Sequence, residues 1–348
     1  MSGTQPRETS RETSDCDALS ERDVDRLVEF ERTIQSDDDP TEAIKLDCDD
    51  ALSPLMRCVG MLECYRRRQR SDGGDDGDVS PDAIPSADLP RDFGRYRLER
   101  SLGHGASGIV FLATDVRLDR AVAVKILRPE SIFFTELRER FFREARATAR
   151  LRHPHLVQIY EVGEQESVPY LASAYCSGGT LEDWIEMHGP ASPRVAADLV
   201  EQLAAAVQHA HARGILHRDI KPSNVLIDPE APRGDRPAPH VRLTDFGLAR
   251  FLDEASRELT RDSAPIGTAA YMAPEQAAGR ADDTGVHSDI WSLGVILHEL
   301  LTGEALVGGS TSSEIVRRLV NGSSLPFRNG GDRIPRDLQA ICRQCLAF

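Results

Sequence analysis

Beyond residue 95 the chain changes texture once, and that change restricts its fold more than any other feature. Short runs rich in β-branched and aromatic residues come first, at Tyr96–Ser101, Gly108–Ala113, Ala121–Leu127, Leu156–Val162 and Tyr170–Tyr175. One charged helical pattern, Phe133–Leu151, interrupts them. After Gly178 the periodicity is mostly helical, clearest over Val195–Ala212 and Ser288–Leu301, with a further helix-like stretch at Pro335–Leu346. Apolar residues recurring every two positions mark strands, and those recurring every three or four mark helices. Strands first and helices second predict an α+β protein in which a β-rich lobe packs on an α-rich lobe. A length of 348 residues and an apolar share of 40% are enough for two such lobes.

The first 90 residues read differently. Residues 1–16 are polar and are expected to be disordered. Ser20, followed by Glu-Arg-Asp, reads as an N-cap before a helix to about Thr33, and a second helical segment over about 51–69 ends in Arg66, Arg67, Arg68 and Arg70. Residues 71–90 hold six Asp, three Gly and three Pro, which is linker composition. The expected organisation is an acidic, partly helical extension (1–70), a linker (71–92) and a folded domain (93–348), its β-rich lobe ending near 175. Of the net charge of −15, −12 falls in residues 1–90 and −3 in the remainder. An acidic chain is a poor partner for nucleic acid or an anionic membrane. The N-terminus lacks the charged-then-apolar pattern of a secretion leader, and no run of 18 apolar residues occurs. A cytoplasmic protein with no membrane segment in 1–348 is expected, with room for an anchor beyond residue 348. Cys342 and Cys345 form a CxxC without a second pair, read as two small buried helix residues rather than half a zinc site.

Chemistry enters with the cations. Only three lysines (Lys45, Lys125, Lys221) stand beside 39 arginines, so each invites a reason why arginine would not serve. Lys125 ends the apolar run Val122-Ala123-Val124, where an ordinary edge charge is the bland reading. A compact ammonium can also sit between phosphates where a planar guanidinium fits poorly. Upstream lies Leu102-Gly103-His104-Gly105-Ala106-Ser107-Gly108, followed by β-type residues rather than a helix. Glycines in such a hairpin let backbone N–H groups approach phosphate oxygens, but alone this pattern is more often a plain turn. Lys221 lies in His217-Arg218-Asp219-Ile220-Lys221-Pro222-Ser223-Asn224. Then come Asp245-Phe246-Gly247, the run Gly267-Thr268 through Ala273-Pro274-Glu275, and Ser288-Asp289-Ile290-Trp291-Ser292-Leu293-Gly294.

In this order and at these spacings the segments resemble the protein kinases, over roughly 95–348. His217–Asn224, Thr268, the Phe93–Tyr96 and His153–Val157 phrases and Tyr271–Ala277 resemble the bacterial, eukaryotic-like (Hanks-type) serine/threonine branch. The resemblance implies a two-lobed kinase fold and transfer of the γ-phosphate of ATP to Ser or Thr hydroxyls of a protein. By the same resemblance Leu102, Gly103, Gly105, Gly108, Val110, Ala123, Ser173, Ala174 and Cys176 would surround ATP. Lys125 would hold its phosphates and pair with Glu144. Asp219 would accept the hydroxyl proton, Lys221 would steady the γ-phosphate, and Asn224 and Asp245 would ligate Mg²⁺, with Mn²⁺ as an alternative. A protein substrate, no nucleic acid, and self-association for phosphorylation in trans complete the implied partners.

Several positions depart from the family. Ser173 takes the gatekeeper position at the back of the ATP pocket, usually a larger apolar residue, and predicts room for bulky adenine analogues. Ala174 stands where a hinge glutamate is common. Asp262 takes the place of a loop threonine and would supply part of an activating negative charge read by Arg218, with Thr260, Ser263 and Thr268 as phosphorylation candidates. The loop Asp228–His240 is long and is read as a tolerated surface insertion. The family's last helices carry an arginine that pairs with the position of Glu275. Because the chain stops at Phe348, a C-terminal lobe cut short and a Glu275 without its buried partner are expected, at a cost of about 3–5 kcal/mol. The readings weighed against an active kinase are a catalytically weak pseudokinase or scaffold and a small-molecule phosphotransferase, the latter disfavoured by the peptide-docking segment ending in Glu275.

Overall fold

A computed structural model describes residues 89–105, 108–127, 135–165, 168–231, 236–246, 266–280, 283–322 and 334–347. The helices expected near 20–33 and 51–69, residues 71–88 of the expected linker, and Thr260, Asp262 and Ser263 lie outside the described residues, while Arg91 and Asp92, read as the linker's end, begin the first strand. Six strands form one antiparallel sheet: β1 (Arg91–Phe93), β2 (Tyr96–Gly105), β3 (Gly108–Asp115), β4 (Arg120–Leu127), β5 (Ile159–Gln165) and β6 (Val168–Ala174), in the order β1-β2-β3-β4-β6-β5. The inner strands β4 and β6 are near-continuous apolar runs because both of their faces are covered. The helix α1 (Thr135–Thr148) places Phe141 and Ala145 against Leu127 and Leu171 of the sheet. Its last turn tightens through Ala149–Leu151, so the sequence pattern outran the regular helix by one turn.

The second half is helical: α2 (Leu181–His188), α3 (Pro193–His211), α4 (Ile266–Ala269), α5 (Pro274–Ala277), α6 (Val286–Thr302), α7 (Ser312–Val320) and α8 (Arg336–Cys345), with the short strands β7 (Val225–Ile227) and β8 (Val241–Leu243) between α3 and α4. Thr180 caps α2 in a reciprocal box with Asp183, and Ser192 caps α3 ahead of Pro193, a residue suited to a first helical turn. The core sits around α6, whose Ile296, Leu297 and Leu300 are essentially inaccessible and pack against Leu199, Leu203 and Val207 of α3. Each such buried side chain contributes about 2 kcal/mol. A Cβ on Gly294 of α6 would lie 2.6 Å from the Cβ of Cys345, so glycine is what lets α8 approach this closely. Cys342 is fully buried there, its thiol facing the Gly294 carbonyl at 3.5 Å and pushed up to about 12 by burial. The CxxC pair is therefore packing, and no cluster of metal-ligating side chains occurs among the described residues. The α+β reading, strands before helices, holds.

The Asp228–His240 loop corrects its reading as a plain surface insertion. Its described C-terminal part is fastened to α3: Ala238 N–H donates to Asp198, Arg236 pairs with the same carboxylate, and Gln202 bonds both Pro239 O and Val241 N–H. Opposite, four histidines run in a chain, His209–His153–His155–His240, with ring separations of 5.1, 5.6 and 4.5 Å. Burial holds His153, His155 and His209 below the ordinary imidazole range. The Val241 carbonyl works against this at His155, while neighbouring His209, His240, Arg236 and Arg213 add to it. The unfolded chain therefore binds more protons than the folded one below about pH 6.5, so stability is full above that pH and drains away as pH falls beneath it. The melting temperature is expected to be flat from pH 8 to 7 and to fall between about pH 6.5 and 5. The fall should be shallower in His209→Gln, and a wild-type melting temperature unchanged down to pH 5.5 would contradict the account.

Candidate active site

Strands β2 and β3 carry the glycine-rich turn, with Gly103 paired to Val110, His104 to Ile109 and Gly105 to Gly108. Gly108 has φ +145°, and a Cβ there would lie 2.1 Å from the Ile126 carbonyl, so the hairpin itself demands glycine at this point. Gly103 is different: a Cβ would meet no atom of the described residues within 4 Å. The fold leaves open the space that a bound phosphate chain would need against the backbone. Val110 lies opposite Lys125 on β4, and Ala123 lies between Leu112 and Ser173, so the residues expected around adenine share one end of the sheet.

Lys125 is 7% exposed, and its ammonium lies 2.8 Å from Asp245 Oδ1. Strand β4 is thereby joined to the residue that follows β8 in the helical half. Burial would push the Asp245 carboxyl up, but the Lys125 charge and hydrogen bond, with His217 and Lys221, more than offset it and hold the group below the ordinary aspartate range. Asp245 sits at φ +61°, a left-handed position unusual for a side-chain-bearing residue. Glu144 is on α1 as expected, one position before the buried Ala145, and Lys125 forms an ion pair with Asp245.

The segment 217–224 is held almost atom by atom. Buried Asp289, in the first turn of α6, accepts from the N–H groups of His217 at 2.9 Å and Arg218 at 2.7 Å, and meets His211 Nε2 at 2.7 Å. His217 Nε2 donates to Thr244 O, leaving Nδ1 to accept from the Asp219 N–H. The Phe246 ring packs on His217 with centroids 4.5 Å apart. Asn224 Nδ2 donates to both the carbonyl and Oδ2 of Asp219, so its amide oxygen is the atom left for a cation. Lys221 Nζ lies 3.1 Å from Asp219 Oδ2 and donates to Thr268 Oγ1 at 2.8 Å. Asp219, Lys221, Asn224 and Thr268 are thus one network, and Lys125 with Asp245 forms a second. With the amide oxygen of Asn224 and the carboxylate of Asp245, the donor set is hard oxygen, as Mg²⁺ prefers.

At the back, a small cavity of about 30 Å³, partly open to solvent, lies beside Ser173, walled by Ala145 and Thr148 of α1, Ile159, Leu171, and Asp245 with Phe246. Ala174 spends its N–H on Gln158 O. The thiol of Cys176 is pushed up to about 11, by burial and then by the Asp228 charge, so it stays neutral.

Glu275 corrects the expectation of an orphaned carboxylate. Its Oε1 accepts from Ser288 Oγ and lies 3.3 Å from His287 Nε2, because the positive end of α6 packs directly against α5. Two residues in the quoted motifs carry more than the sequence reading assigned them. Asp289 had a visible signal, a carboxylate in an otherwise apolar helix pattern, which is costly unless partnered. Gln276, whose side chain reaches the Arg218 carbonyl, had none.

The cavity beside Ser173 sets an expected outcome. An ATP-competitive inhibitor carrying a bulky aromatic group should lose about tenfold or more in potency on Ser173→Met, while its unsubstituted parent should not. Equal potency of the bulky compound on both proteins would show that the cavity is not reached from the adenine side.

A protein kinase domain family matches residues 96–348. The serine/threonine-protein kinase PrkC of Bacillus subtilis is 36% identical over 254 residues, and the serine/threonine-protein kinase PknB of Mycobacterium tuberculosis 36% over 257. PknB of Mycolicibacterium smegmatis is 38% identical over 258 residues. Each match takes in 73% of this chain but only 37–40% of the relative. With the family match spanning the whole of the sheet from Tyr96, both networks and the α6 core, this chain belongs to the protein kinase family, in its bacterial Hanks-type serine/threonine branch.

Proposed function

We propose that the chain is an ATP-dependent serine/threonine protein kinase acting on the hydroxyl groups of protein substrates. One observation carries this reading. Lys221 and Asn224 engage Oδ2 of Asp219, and among the described residues Oδ1 has no hydrogen-bond partner. An unengaged carboxylate oxygen there supports Asp219 as the acceptor of a proton from an incoming hydroxyl. Gly103, Gly105 and Gly108 cover the phosphates, Lys125 neutralises them, and the hinge backbone at Ala174–Cys176 receives adenine between Val110 and Ala123. Lys125 pairs with Glu144 when the α1 helix is swung in. When bound at Asn224 and Asp245, Mg²⁺ or Mn²⁺ supplies positive charge against the phosphates. Lys221, tied to Thr268, steadies the transferring group and favours serine and threonine substrates.

Regulation follows the same proposal. The Nε of Arg218 is buried without a hydrogen-bond partner among the described residues, which suits an arginine that would receive charge from residues 247–265. Asp262 would supply part of that charge, with Thr260 or Ser263 adding to it on phosphorylation, and two copies of the chain would meet for this transfer. Among the described residues no helix is long and apolar enough to cross a membrane.

Transfer of labelled phosphate from ATP and Mg²⁺ to a generic basic protein is expected for the wild type. In Asp219→Asn, which keeps the size of the side chain but not its basicity, it should fall by about 10² to 10⁴. Equal transfer by the two proteins would remove Asp219 from the chemistry, and no transfer by wild type would favour a scaffold.

A further inference from the structure

The two halves of the Arg218–Asp219 peptide bond are gripped from different elements. Its N–H side, the Asp219 amide, donates to His217 Nδ1 at 3.2 Å. Its carbonyl, that of Arg218, accepts from Gln276 Nε2 at 2.8 Å. Arg218 itself is at φ +69°, a left-handed position that a side-chain-bearing residue keeps only when its surroundings fix it. The surroundings do fix it: Asp289 of α6 holds the N–H on one side and Gln276 of α5 the carbonyl on the other.

Gln276 does this while bound at its other end. Its Oε1 accepts from the Ala273 N–H at 3.0 Å, which ties the amide to the start of α5. One side chain therefore accepts from the segment that follows Thr268 and donates to the segment that carries Asp219. Only a primary amide offers an acceptor and a donor in that geometry; a carboxylate has no donor and a thioether has neither of comparable strength. We propose that Gln276 is a positioning residue for phosphoryl transfer, fixing the peptide plane from which Asp219 projects and coupling it to the Thr268–Ala273 segment. This rests on the kinase reading above, with Asp219 as the proton acceptor.

The test compares Gln276→Glu and Gln276→Met with wild type, using ATP, Mg²⁺ and a generic basic protein. Ionised, the carboxylate of Gln276→Glu keeps the acceptor but turns a second oxygen toward the Arg218 carbonyl. At pH 8 kcat should fall about 10- to 100-fold in both variants, with the KM for ATP unchanged, because misplacing a reacting group costs rate rather than nucleotide binding. As pH falls toward 5.5, the carboxyl of Gln276→Glu gains a proton and becomes a donor again. Its kcat relative to wild type should then rise, while that of Gln276→Met stays low at every pH. A merely packing role predicts no such recovery. In a crystal structure of Gln276→Met, Arg218 should leave the left-handed region, a result independent of whether any variant transfers phosphate. Wild-type kcat in either variant at pH 8, a flat ratio across pH for Gln276→Glu, or an unchanged Arg218 φ in Gln276→Met would each overturn the proposal. Failure of wild type to transfer phosphate would instead count against the kinase reading, and the Arg218 geometry would still decide the role of Gln276.

Discussion

A single carboxylate, that of Asp289, organises the region where chemistry is expected. It is 1% exposed and lies at the start of the most apolar of the described helices. A charge so placed is tolerable only if its lone pairs are filled, and they are filled by the backbone N–H groups of His217 and Arg218 and by His211. The helix that forms the core of the C-terminal lobe thereby carries the geometry of residues 217–219. Removing the carboxylate would leave two buried N–H groups unsatisfied, at about 1–3 kcal/mol each, in the part of the chain that can least tolerate movement. The positive end of α6 acts twice more nearby, through Ser288 and His287 on Glu275, so the segment after Thr268 is referred to the same helix terminus.

The second organising contact is between the lobes. Lys125 and Asp245 are 120 residues apart and meet at 2.8 Å beside the cleft. Lys125 is the cation that acts most strongly on the Asp245 carboxylate, and under the proposed function both would face the ATP phosphates and a divalent cation. Nucleotide binding would therefore exchange one ion pair for several, without exposing an unpaired buried charge at either end. Between the lobes the 155–157 stretch also bonds to β8, through Val157 N–H to Leu243 O and Leu243 N–H to His155 O. The histidine chain lies along this same connection, so acid would weaken a joint rather than a surface.

Much of this was legible in the residues themselves. The order of strand-like and helix-like runs foretold five of the sheet's six strands and the α6 core, because burial on one or both faces leaves a period in the sequence; β1, three residues at the end of the expected linker, is too short to leave one. What failed were contacts decided by residues far apart. The Leu156–Val162 run begins three residues before β5, since its first part bonds to β8 instead. The 228–240 loop read as an insertion because nothing local announces that Asp198 and Gln202, about 40 residues earlier, fasten it. Glu275 was expected to lack a partner because the reading looked for a later arginine and not for a serine and a histidine on the neighbouring helix. Gln276 left no trace, as a polar residue on a four-residue helix is ordinary until its partner is seen.

The central claim is that Asp289 holds the catalytic segment in place before any nucleotide arrives. Hydrogen exchange of the His217–Asn224 backbone in the nucleotide-free protein tests it most directly, with Asp289→Asn as the comparison. The amides of His217 and Arg218 should exchange as slowly as those in the middle of α6 in the wild type, and much faster in the variant while α6 itself stays protected. Rapid exchange of those two amides in the wild type, slowing only when ATP and Mg²⁺ are added, would show that the nucleotide and not Asp289 builds the site.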